Sequence, residues 1–219
     1  EENAGGGNNP PEVEGGAQAY RAPWYLILVD EEHPLPRDFT LEIQEAAGIK
    51  VDQRIASELT HMLEDAAAQG VEIRLAGGYR SPERQRELYQ KELERWQAQG
   101  LSEEESRNAV RGYLDPPGAS EYQTGLAVQL AAPGEKEAFG DLPAREWLEE
   151  HAGDYGFILR YPEGKKEYTG KSGDLRHYRY VGASAAAKMK ESGLCLEEYL
   201  IQEEEYFQAW QRGKQLEGN

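Results

Sequence analysis

Two stretches concentrate the side chains of this chain that can do chemistry. Pro117–Leu130 reads PGASEYQTGLAVQL and brings Ser120, Glu121, Tyr122 and Gln129 into close succession, and Asp174–Gly182 reads DLRHYRYVG and does the same for Asp174, Arg176, His177 and Arg179. A third, GGYRSP, carries Arg80. A guanidinium is a planar fork that pairs bidentately with a carboxylate, so Arg80 can bind an acidic ligand or pair within the chain to Glu83 or Glu87. Cys195, flanked by Leu194 and Leu196, is the single cysteine. It excludes a disulfide framework and a cysteine-based zinc site, and it reads as a small buried apolar side chain. His61, within a helical pattern, and His151 read as structural.

Composition limits what these groups can serve. The 219 residues suit one domain with a tail or two, long enough to bury a core, and 13 Tyr with 4 Trp favour a folded chain. Asp and Glu number 41 against 24 Lys and Arg, a net charge of -17, which repels nucleic acid and anionic lipid surfaces. Nucleic acid is therefore excluded as a partner. No apolar run is long enough to span a bilayer. Residues 1–22, rich in Gly, Asn, Pro and Glu, read as a flexible acidic leader. A chain beginning with Glu is expected to have had a signal or anchor segment removed.

Regular elements must hold the reactive groups. Pro23–Asp30, PWYLILVD, is dense in apolar and β-branched residues and predicts a strand, closed by the turn EEHPLPRD. From Asp52, the apolar positions Ile55, Leu59, Met62, Leu63 and Ala66 follow helical spacing, with Asp52 as N-cap and Gly70 past the end. Val71–Ala76 alternates as a half-buried strand does and delivers Arg80. Ser81-Pro82 then starts a helix running through Arg84, Leu88 and Leu93 to Trp96. Ser102 caps a further helix whose glutamates suit its positive end. Gly125–Leu130 and Tyr155–Pro162 read as strands, Pro143–Ala152 as a short amphipathic helix, 163–173 as a polar loop, and the chain from Ser184 as two helices with a frayed end. There are no internal repeats.

Taken together, these motifs resemble the VanY-like D-alanyl-D-alanine carboxypeptidases, LAS-type zinc peptidases. Ser120, Gly125 and Ala127 fit that family's Ser-x-His-x-x-Gly-x-Ala-x-Asp motif, and His177, Arg179, Tyr180, Val181 and Gly182 fit its Glu-x-Trp-His-x-Arg-Tyr-Val-Gly segment. YGFILRYP at 155–162 matches its YGFI-x-RYP strand. The resemblance runs over roughly residues 23 to 182. It implies an α+β fold, a small and mostly antiparallel sheet flanked by helices, with a zinc site in a groove that trims terminal D-alanine from peptidoglycan stem peptides. It also implies that Arg80, Gln85 and Ser120 bind substrate, Arg80 through the D-alanine carboxylate. The ligand positions depart from the pattern: Tyr122 stands at the zinc histidine, Gln129 at the zinc aspartate and Asp174 at the catalytic glutamate, leaving only His177. A phenol of ordinary pKa near 10 is protonated at neutrality, and a neutral amide oxygen is a poor zinc donor. Arg176 replaces a tryptophan. It either stands in for the lost metal charge or faces solvent.

The expected organisation is a leader over 1–22, a VanY-like domain over 23–192, and a C-terminal helix with a frayed end over 193–219. The expected function is that of an extracytoplasmic, cell-envelope pseudoenzyme. It would have lost zinc, need no cofactor, and bind a peptidoglycan stem peptide or cell-wall partner in the old groove. Two alternatives stand beside it. One is an active carboxypeptidase with a rebuilt metal site recruiting an acid such as Glu121. The other is an interaction scaffold, which requires an exposed stripe of Leu196, Tyr199, Leu200 and Phe207.

Overall fold

The computed structural model describes residues 22–131 and 143–217, with side chains as far as residue 208; the leader, apart from Ala22, lies outside this range. Its centre is an antiparallel sheet in the order β3-β4-β6-β5, formed by β3 (Leu75–Gly77), β4 (Ala127–Leu130), β5 (Phe157–Tyr161) and β6 (Asp174–Tyr180). Val128 pairs with Tyr178 and Gln129 with His177. Directly opposed residues share a face, so the register sends Val128 and Tyr178 into the core and Gln129 and His177 to the other side. The core joins Val128, Leu130, Phe157 and Tyr178 to Leu59, Met62 and Ala66 of α1 (Ala56–Ala68) and to Trp147 and Leu148 of α4 (Pro143–His151). This is the α+β architecture that the motifs imply.

Local chemistry explains most boundaries. The Ser81 side chain accepts the Arg84 N–H ahead of α2 (Pro82–Gln97), and Ser102 with Glu105 forms a reciprocal capping box on α3 (Glu103–Arg111). Asp52 accepts the Arg54 N–H at 2.9 Å, capping a 3-10 turn that leads into α1. Gly70, past the end of α1, has φ +79°. A hairpin of β1 (Ile43–Ala46) and β2 (Ile49–Asp52) turns at Ala47 and Gly48, both at positive φ. The sequence carries only a weak turn signal there, and the hairpin was not foreseen.

Three other expectations change. Pro23–Asp30 is not a strand: it holds a 3-10 turn at Trp24–Leu26. Its apolar residues Leu26 and Val29 are buried as expected. Its carbonyls at Tyr25 and Ile27, however, are taken by the Arg179 guanidinium at 3.1 and 2.7 Å rather than by a neighbouring strand. The strand after α1 is confined to β3, and the loop over 163–173 contains a one-turn helix, α5 (Lys166–Thr169). The last two helices form as read, α6 (Ala183–Ser192) and α7 (Leu196–Glu217). Leu196, Tyr199 and Phe207 are buried, and Leu200 packs against a second apolar cluster with Leu26, Val181 and Met189. The stripe that the scaffold alternative needed in solvent is core.

Beneath the groove lies a buried charge network. Glu121, 1% exposed, takes Arg160 Nε at 2.7 Å and lies 2.8 Å from Arg179 NH1; Arg160 also grips Glu197 of α7 at 2.6 and 3.0 Å. Burial pushes the Glu121 carboxyl up, but Arg160, Arg179 and His177 outweigh it and hold it well below the usual carboxylate range. Removing one partner of such a network leaves a charge uncompensated, at a cost of about 3–5 kcal/mol. Arg160→Leu is expected to lower the unfolding free energy by about that much in urea denaturation; a loss below about 1 kcal/mol would show that the network carries little weight. A carboxylate with a depressed folded pKa stabilises above its unfolded value of about 4.3, and that contribution is lost as pH falls toward the folded value. Acid titration of stability should therefore be steeper below about pH 4 for the wild type than for Glu121→Gln.

Candidate functional site

Three chain segments converge on one groove of about 500 Å³. The 3-10 turn Glu121–Thr124 presents Tyr122, β4 presents Gln129, and β6 presents Asp174, Arg176 and His177. The loop after β3 contributes Arg80. Gly125, at φ +70°, lets the turn lie against β2: its carbonyl accepts the Asp52 N–H at 3.0 Å, and a Cβ there would sit 2.6 Å from that nitrogen. Gly78 is packed against the Lys50 carbonyl, and the Arg80 N–H is bound to the Tyr122 carbonyl at 3.0 Å. The two loops are thereby fixed to each other.

The floor of the groove is uncharged. The Tyr122 hydroxyl donates to Gln129 Oε1, and burial pushes the phenol pKa well above its ordinary value. Accepting that hydrogen bond leaves the Gln129 amide nitrogen with its donors available on the groove side. His177 sits between Tyr122, tilted against it at 40°, and Tyr161, which meets it edge to face at 81°, with ring centroids 4.7 and 4.8 Å away, and turns Nε2 toward Glu121 Oε2 at 3.4 Å. Asp174 Oδ1 accepts the Arg176 N–H at 2.9 Å.

The cations differ in how fully they are used. Arg80 is half-buried, with its guanidinium 3.8 Å from the centre of the Tyr122 ring and NH1 3.3 Å from Gln85 Oε1. Burial pulls its pKa below the ordinary value, and among the described residues no carboxylate lies within ion-pairing distance of it. Neither Glu83 nor Glu87 serves as its partner; Glu87 pairs with Arg84. Arg176 lines the groove with Nε 3.6 Å from Asp174. Ser120 lines the floor as expected. Gln85 does not: it is 0% exposed, and its amide is spent on Arg80 and on the Asp115 carbonyl at 2.6 Å. Its role is to hold Arg80 rather than to touch a ligand. Glu121, with its oxygens turned to Arg160, Arg179 and His177, is not placed to be recruited as a metal ligand.

Sequence reasoning passed over several lining residues. Lys171 ties the 163–173 loop to Asp115 and to the Arg111 carbonyl, closing one side, and Leu88, Lys91, Tyr113 and Leu114 form the outer wall. Their only signal was the helical phase of α2, which places Leu88 and Lys91 on one face.

The comparisons with known proteins agree with this geometry. The profile of the VanY family, described as D-alanyl-D-alanine carboxypeptidase, matches residues 48–183. A D-alanyl-D-alanine carboxypeptidase of Enterococcus faecalis is 38% identical over 178 residues, 81% of this chain; the chain spans 66% of that relative's length. Among solved structures, VanYB in complex with D-alanine-D-alanine superposes with a TM-score of 0.74 at 38% identity, covering 82% of this chain and 98% of that one. A vancomycin-resistance D,D-pentapeptidase VanY variant in complex with Zn(II) gives 0.73 at 38% identity over 81% and 99% of the two chains. From the core register to the groove and its framing motifs, the chain belongs to the VanY family of D-alanyl-D-alanine carboxypeptidases.

Proposed function

We propose that this protein is a binding member of its family, one that holds D-alanine-terminated peptidoglycan peptides in the groove without zinc and without cleaving them. The observation that carries the reading is Arg80, a half-buried guanidinium packed on the Tyr122 ring and steadied by Gln85, with no carboxylate in ion-pairing distance among the described residues. A desolvated cation without a counter-ion is pre-set for an anionic ligand, and a terminal carboxylate fits its fork. The Gln129 amide, oriented by the Tyr122 hydroxyl, supplies a hydrogen-bond donor for a peptide carbonyl.

The donors do not fit a zinc ion. A catalytic zinc takes three imidazole, thiolate or carboxylate ligands. Here a protonated phenol donates to a neutral amide oxygen, and Oδ1 of the neighbouring Asp174 accepts the Arg176 N–H. Among the described residues no three His, Cys, Asp or Glu side chains are grouped to hold a metal. With an imidazole and a carboxylate replaced, the site lacks the charge that would deprotonate a bound water. A place at the cell envelope is part of this reading, supported by the D-alanine-D-alanine ligand of a similar structure; no described helix is long and apolar enough to cross a membrane.

Calorimetry of the purified protein with a peptide ending in D-Ala-D-Ala tests the reading. Binding is expected to be unchanged by chelator, with no D-alanine released, and Arg80→Ala is expected to weaken it about ten- to a hundredfold, the worth of a charge-assisted bidentate contact. Absence of affinity for any such peptide would sink the proposal. One tightly held zinc per wild-type chain, with chelator-sensitive D-alanine release, would establish the active carboxypeptidase in its place. A complementary expectation concerns reversal. The variant combining Tyr122→His, Gln129→Asp and Asp174→Glu should take up zinc at one equivalent, because with His177 it offers two imidazoles and a carboxylate as ligands. Failure of this folded variant to bind zinc would mean that more than the donor set has changed.

A further inference from the structure

We infer that the outer half of the groove is a second anion subsite, in which Lys91 pairs with a second carboxylate of the same peptide, about three residues upstream of its C-terminus, against the wall formed by Tyr113. The inference rests on Arg80 as the anchor of the terminal carboxylate and goes beyond it to the peptide's sequence.

The other cations around the groove are engaged. Lys171 holds Asp115, Arg176 lies beside Asp174, and Arg95, behind the wall, pairs with Glu92 at 2.7 Å. Lys91 lines the groove, is exposed, and among the described residues has no ion-pair or hydrogen-bond partner. Glu92 beside it is the natural competitor for its charge, but that carboxylate is occupied by Arg95 and by the Tyr113 hydroxyl at 2.8 Å.

Tyr113 gives the subsite a fixed wall. Its ring is 52% exposed, yet its hydroxyl donates to Glu92 and accepts from Trp96 Nε1 at 2.9 Å and from Arg95 at 3.1 Å. An aromatic tied at its polar end offers its face at little entropic cost to an incoming chain. Leu88 and Leu114 also line the groove and offer apolar surface to the ligand.

Spacing sets the position of the second charge. Arg80 lies just before α2, and Lys91 lies two and a half turns into it, about 14 Å along the axis at 1.5 Å per residue. Three extended residues cover about 10 Å, and the reach of a glutamate and of the lysine stem supplies the remainder. In a protein of net charge -17, anionic peptides are repelled overall, and two unpaired cations at this separation favour those whose charges match.

The test uses two acetylated pentapeptides ending in D-Ala-D-Ala that differ only in Glu or Gln at the second residue, titrated at low salt into the wild type, Lys91→Gln and Arg80→Ala. The Glu peptide is expected to bind wild type about three- to fivefold tighter, the scale of an exposed ion pair. Lys91→Gln should remove that preference while leaving the affinity for the Gln peptide unchanged, and Arg80→Ala should weaken both peptides. Equal affinity of the two peptides for wild type would overturn the subsite and leave the anchor standing. A preference that persists in Lys91→Gln would overturn the assignment to Lys91. No binding of either peptide would remove the anchor, and the subsite with it.

Discussion

The Glu121 carboxylate is the interaction on which the rest of this structure depends. It is buried on the turn that presents Tyr122, and it gathers Arg160 from β5 and Arg179 and His177 from β6 around one point. Each of these groups would cost several kcal/mol to desolvate alone. Together, with Glu197 on the far side of Arg160, two guanidiniums meet two carboxylates. The turn that presents Tyr122 and the strand that presents His177 are both tied in. Arg179 extends the network to the carbonyls of Tyr25 and Ile27, and Arg160 extends it to α7. The first and last described parts of the chain are thus braced against the floor of the site.

On that base sits a groove whose electrostatics differ from those of a metal centre. A divalent ion would dominate its surroundings and depress the pKa of any bound water. The Tyr122–Gln129 pair instead is neutral, joined by the phenol's hydrogen bond to the amide oxygen and packed beside the tilted His177 ring. Arg80 stands beside this pair with no ion-pair partner among the described residues. On the binding reading proposed above, the scaffold serves recognition rather than hydrolysis, because fold and chemistry are separable.

Much of this was legible in the sequence where local rules operate. The caps at Ser81 and Ser102, the helical phase of Leu59, Met62 and Ala66, and the last two helices follow from spacing and side-chain chemistry alone. The segment Pro23–Asp30 was misread because its apolar density is that of a strand, whereas its backbone partner is an arginine more than a hundred residues away. The hairpin at Ile43–Asp52 was missed because its turn residues, Ala47 and Gly48, lack a strong turn signature. Gln85 was expected at the ligand from the family resemblance, whereas its side chain is buried behind Arg80 and bonded to it and to the Asp115 carbonyl, a packing that a motif match does not show.

The sequence by itself determined the family framework and the identity of the donors, since motif spacing fixes which side chains share a strand or turn and their chemistry fixes what they can ligate. Through the family resemblance it also set the expectation that Tyr122, Gln129 and Asp174 stand at the ligand and base positions. Only the tertiary structure decided how those groups are used: that the phenol donates to the amide oxygen, that Glu121 is locked beneath the site, that Arg80 has no ion-pair partner among the described residues, and that the α7 stripe is core. These are contacts between residues distant in the chain, and which atoms meet across such distances is set by packing and burial rather than by local sequence.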